Sequence, residues 1–147
     1  MSETVGKLVE EQEGAWRILK ESKRIAVLGI KPESHAHLPA HYVPAFLQRS
    51  GWTIVPVPVY YPEVTEILGE RVYRRLADIP EPVDLVVVFR RPRDIPPHVP
   101  DLIARSPRAV WFQLGIRNDE AARDLAAAGM DVVQDRCTMV EVRRMGR

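Results

Sequence analysis

The chain has 147 residues, enough for a single domain spanning residues 1–147 to build its own core without a disulfide or a metal. Lys plus Arg is 21 against 20 Asp plus Glu, so there is no global field to draw the protein to nucleic acid or an anionic membrane, and any anion site must be local. The only cysteine is Cys137, and the start, MSETVGKLVEEQEG, has neither a charged-then-apolar signal order nor a membrane-length apolar run, so the expected location is the reducing cytoplasm.

In chain order, Val5, Leu8, Val9, Trp16 and Leu19 recur at helical spacing among polar residues and predict an amphipathic N-terminal helix over about 4–21. The period then changes. RIAVLG (24–29) and DLVVVF (84–89) are unbroken apolar runs, the pattern of parallel strands covered on both faces. WTIVPV (52–57), AVWFQL (109–114) and MDVVQD (130–135) are shorter versions, giving five strands in all. Helices are predicted between them, at about 40–50, 95–105 and 118–128. The first tolerates Pro44 only if that residue falls in or near the first turn. The last has Asn118 as N-cap, Asp119 and Glu120 at the positive end of the dipole, and Gly129 as its stop. Residues 61–83 carry too many turn formers for one long helix. They read as a helical turn ending at Gly69, an extended RVY piece and a turn through Pro80 and Pro82. Strand alternating with helix implies right-handed crossovers and an open, Rossmann-like α/β sheet: five parallel strands with helices on both faces.

Ligands of such sheets lie beyond the carboxyl ends of the strands, which fixes the residues of interest before any motif is sought. Gly29 ends the first buried strand and permits a sharp turn that could admit a phosphate to backbone N–H groups. The loop reads Gly29-Ile30-Lys31-Pro32-Glu33-Ser34, without the further glycines of a dinucleotide fingerprint. The next strand ends Val57-Pro58-Val59-Tyr60, lacking the carboxylate that would hold an NAD ribose, so NAD-type binding is disfavoured twice. In FRRPRD (89–94), Arg90 and Arg91 leave a wholly apolar strand, and guanidinium groups there suit phosphate oxygens; solvated surface charge is the plainer reading. Gln113 offers an amide, and Gly115 permits either a close ligand or a simple turn.

His35, His37 and His41 share one loop and helix start but match no usual zinc spacing. Cys137 follows Arg136, yet no partnered base is identifiable, so a structural thiol is the simpler reading. Ser34 lacks a Gly-x-Ser-x-Gly context, and a hydrolase is not supported.

Taken together and in order, IAVLG, VYRRLADIP, VFRRPRDIP, VWFQLGI and DVVQDRC resemble the small standalone bacterial CoA-binding proteins, which share the CoA-binding domain of the succinyl-CoA synthetase α subunit. The resemblance runs from about Trp16 to Glu141. It implies CoA or an acyl-CoA across the carboxyl edge: Gly29, Ile30 and Lys31 at the diphosphate with His41 close by, Val57, Pro58 and Tyr60 beside the adenosine, Phe89, Arg90 and Arg91 bordering the nucleotide, and Gln113 and Gly115 closing the other side. The chain departs from the family pattern at Lys31, at Ala40-His41 and at Pro58-Val59, where serine, Ser-Tyr and Asn-Pro are common. CoA brings roughly four negative charges, which agrees with arginines and no strand-end carboxylate. The ligase domains and phosphorylated histidine of the synthetase have no counterpart in these residues. The expected function is therefore noncovalent CoA binding as a carrier, sensor or presenting module for an unidentified protein partner. An oligomerising or interaction module with a degenerate nucleotide site, or NAD-type dinucleotide binding, is the alternative.

Overall fold

The computed structural model describes residues 5–146. Its main sheet has six strands, all pairs parallel: β1 (Leu8–Val9), β2 (Arg24–Leu28), β3 (Thr53–Val57), β6 (Leu85–Val88), β7 (Ala109–Phe112) and β8 (Asp131–Val133). Their spatial order is β1-β8-β7-β6-β2-β3. The apolar runs are unbroken because both faces are buried. Ile25 and Val27 of β2, Leu85 and Val87 of β6 and Trp111 of β7 enter one core layer. Ala26 and Leu28, Val86 and Val88, and Val110 and Phe112 enter the other.

The first layer is covered by α1 (Gln12–Glu21), α2 (Pro39–Arg49) and α5 (Thr138–Arg144), the second by α3 (Val99–Arg105) and α4 (Asp119–Ala127). Asn118 caps α4 as expected, its side-chain oxygen accepting from the Ala121 N–H at 3.0 Å. Pro56 is tolerated within β3 because that strand is an edge.

Four expectations are corrected. The N-terminal helix starts at Gln12 rather than near residue 4, which itself lies outside the described residues. Leu8 and Val9 instead form β1, a sixth strand in register with Val132 and Val133. Gly6 makes this approach possible, since a Cβ there would fall 1.8 Å from the Met130 carbonyl oxygen. Residues before Gly69 form no helical turn: β4 (Glu66–Ile67) and β5 (Glu70–Arg71) make a small antiparallel hairpin around Leu68 and Gly69, both at positive φ. A fifth helix, α5, follows β8 where none was expected. Finally, Pro44 sits inside α2, beyond its first turn.

Candidate functional site

In the order β3-β2-β6, the crossover from β2 leaves to one side and the remaining strands continue on the other, so the topological switch point lies between β2 and β6. A hollow of about 60 Å³ opens there, at the carboxyl ends of three adjacent strands. Gly29, Ile30 and Lys31 follow β2; Val59, Tyr60 and Tyr61 follow β3; Phe89 and Arg90 follow β6; Ala40, from the start of α2, closes the back. At ~30 Å³ per water, the space takes a phosphate-sized group, and the rest of a nucleotide would lie over the open edge.

Gly29 is required by packing. Its φ is +89°, a Cβ would lie 2.2 Å from the Phe89 carbonyl oxygen, and its own N–H is donated to Val57 O at 2.9 Å. The glycine thus presses β2 against β6 at the switch point, and it offers no spare nitrogen. The neighbouring Ile30 N–H has no hydrogen-bond partner among the described residues.

Lys31 is fixed through its backbone. Proline at 44 cannot donate to the carbonyl of residue 40, so Ala40 O is left for the Lys31 N–H, at 3.1 Å. The buried His41 donates from Nδ1 to Lys31 O at 2.8 Å. Both sides of the Lys31 peptide are therefore bolted to α2. Its ammonium reaches the Tyr61 hydroxyl at 3.2 Å and lies 5.5 Å from that ring's centre.

Arg90 is held from two directions. Its guanidinium lies 5.6 Å from the centre of the Tyr60 ring, and its Nε–H donates to His98 Nε2 at 3.2 Å. That bond needs a neutral imidazole. Burial pushes the His98 pKa below the ordinary imidazole value, and the Arg90 charge pushes the same way, while Asp101 and Asp94 oppose them.

The tyrosine loop is clamped by Arg74. One guanidinium donates to the carbonyls of Tyr60 at 3.1 Å, Tyr61 at 2.8 Å and Val64 at 2.6 Å, holding Tyr61 at a φ of 65°. Tyr61, Arg74 and His98 were not singled out from sequence. The YYP triplet after a strand was a visible signal for the first; the other two act through folding contacts that spacing does not reveal.

The remaining expected residues lie elsewhere. Arg91 turns outward, 65 % exposed, and pairs with Asp94 at 2.7 Å, holding that carboxyl below its usual range. Val57 and Pro58 are buried and do not line the hollow. Gln113 is also buried; its Oε1 accepts from the Thr138 N–H at 3.0 Å and hydroxyl at 2.8 Å, anchoring the start of α5. Gly115 is exposed, and its N–H is taken by Asp135 Oδ1 at 2.7 Å. His35 and His37 stack loosely, ring centres 6.4 Å apart, and no metal-binding cluster of His, Cys, Asp or Glu occurs among the described residues.

An open parallel sheet with two cations at the switch point defines a Rossmann-like α/β protein with an anion-sized hollow at its carboxyl edge. The comparisons with known proteins narrow the class. The CoA binding domain family model matches residues 23–143, and the chain belongs to that family. It is 34 % identical over 125 residues to the uncharacterized protein YneT of Bacillus subtilis, covering 84 % of this chain and 87 % of that one. Among solved structures, the cell-free ID.343 protein of Thermus thermophilus is 39 % identical with a TM-score of 0.83, over 92 % of this chain and 99 % of that one. A hypothetical protein from Pyrococcus horikoshii OT3 is 31 % identical with a TM-score of 0.83 over the whole of both chains. An acetyl-coenzyme A synthetase from Ca. Korarchaeum cryptofilum shares the fold, at 18 % identity and a TM-score of 0.63, over 75 % of this chain and 25 % of that one. No described helix is long and apolar enough to cross a membrane.

Proposed function

We propose that the protein binds CoA or an acyl-CoA noncovalently at the β2/β6 switch point, as a carrier, sensor or presenting module without catalysis of its own. The observation that carries this reading is the convergence of Lys31 and Arg90 on one phosphate-sized hollow in a chain of the CoA binding domain family. A phosphoryl group seated there meets two charged donors, the Lys31 ammonium and the Arg90 guanidinium, each of which keeps N–H groups beyond those given to Tyr61 and His98, and the unpartnered Ile30 N–H. Tyr60, 57 % exposed beside Arg90, presents a ring face on which an adenine can stack. The family resemblance also placed Arg91, Gln113 and Gly115 at the ligand. In this reading Arg91 is spectator charge, Gln113 is an internal brace, and Gly115 leaves the edge beside it open.

Thermal shift against CoA, dephospho-CoA and NAD in parallel tests the proposal. A ligand at 100 times its Kd adds ~2.7 kcal/mol, or roughly 5–10 °C for a domain of this size. CoA is expected to give that shift, Arg90→Ala to lower CoA affinity about tenfold or more through a lost charge-assisted contact, and Arg91→Ala to leave it unchanged. A larger shift with NAD, or no response to CoA, overturns the assignment. Incubation with acetyl-CoA should produce no thioester turnover.

A further inference from the structure

A second and larger depression lies on the same edge of the sheet. It has a volume of about 470 Å³, within the ~300–1,000 Å³ range of small-molecule sites, and is built at the carboxyl ends of β7, β8 and β1 with α5 as one wall. Its apolar side chains stand open: Leu114 is 67 % exposed, Leu8 42 % and Val140 37 %. Its charges cancel, since Arg117, Arg136 and Arg144 face Glu10, Asp135 and Glu141. Each arginine is engaged. Arg117 lies 3.1 Å from Asp119, Arg136 lies 3.6 Å from Glu141, and Arg144 lies 3.4 Å from the same carboxylate. The groove thus has apolar surface to cover and no uncommitted cation for a ligand carboxylate.

Its distance from the hollow fits one ligand. From β2 to β8 is three strand spacings of ~4.8 Å, about 14 Å. The pantetheine arm of CoA, a chain equivalent to roughly four peptide units at ~3.5 Å each, spans about the same length. Gly115, which follows β7 between the two, is exposed, and a Cβ there would meet no atom within 4 Å.

We infer that this groove receives the acyl group of an acyl-CoA, and that it selects short uncharged acyl chains over dicarboxylic ones. The inference rests on the proposed CoA site, because the arm must start from a phosphate held at Lys31 and Arg90. Butyryl-CoA and succinyl-CoA test it, having acyl chains of equal carbon count that differ in a terminal carboxylate.

By calorimetry or thermal shift, butyryl-CoA is expected to bind about tenfold tighter than CoA through burial of its methylenes, and succinyl-CoA no tighter than CoA. Val140→Asp should abolish the butyryl preference and leave CoA itself where it was; Leu114→Asp, at a more exposed position, should do the same if the first variant folds poorly. Equal affinities for CoA, butyryl-CoA and succinyl-CoA, or a preference that survives both substitutions, overturn the acyl assignment and leave the CoA site standing. Failure of CoA to bind at all removes both.

Discussion

At the scale of single residues, the hollow is defined by backbone fit before charge. Gly29→Ala would force a Cβ into the Phe89 carbonyl at a left-handed φ, so it should cost about 3–5 kcal/mol of stability, read from urea unfolding midpoints. A much smaller loss would mean that β2 and β6 can part at the switch point without penalty. His98 supplies the pH dependence. Above the ordinary imidazole value of 6.5 it is neutral in both folded and unfolded chains and contributes no slope. As pH falls below that value, the unfolded chain takes up a proton that the folded one refuses, so stability declines until the lowered folded pKa is passed. His98→Gln keeps an acceptor for Arg90 without titrating. Wild type should therefore lose more stability than this variant between pH 7.5 and 5.5, and parallel curves would refute the half-buried, neutral state. The positions after the strands were legible in sequence because topology alone puts them at the carboxyl edge. Which of two adjacent arginines faces the hollow was not: Arg91 is drawn off by Asp94, three residues on, and Arg90 is caught by His98, eight residues on.

Elements with strong local signals formed where expected. α4 is the clearest, with an N-cap, acidic first turn and terminal glycine all agreeing. Asn118 uses both ends of its amide, accepting from Ala121 N–H and donating to Pro92 O at 2.9 Å, so Asn118→Ala should cost about 1–2 kcal/mol in the same unfolding assay. Elements whose stability comes from distant partners were misread. β1 has helical spacing, yet Lys7 is committed to β8 by its carbonyl to Val132 N–H at 2.8 Å and its N–H to Asp131 Oδ1 at 3.0 Å. α5 is only seven residues long, too short to announce itself. It is held by the buried Gln113 at its start and by Glu141, which accepts from Trp16 Nε1 at 2.9 Å. The interior Pro44 shows the same logic in reverse, since an apparent flaw in α2 is what frees a carbonyl to pin the Lys31 loop.

At the scale of the whole molecule, a net charge of +1 leaves any anion site to local groups, and the sheet supplies the order in which those groups meet. β3, β2 and β6 bring together Tyr60, Lys31 and Arg90 from three separate stretches of chain; β7, β8 and β1 bring together Leu114, Asp135 and Glu10 from three others. Unbroken apolar runs alternating with amphipathic ones were sufficient, by themselves, to specify a parallel α/β sheet, its covered faces and the edge that carries the hollow, because burial on both sides of a strand leaves a direct mark on composition. The sixth strand, the inward turn of Arg90, the outward turn of Arg91 and the width of the hollow were settled only in three dimensions, because each depends on hydrogen bonds and close contacts between residues that the sequence holds apart.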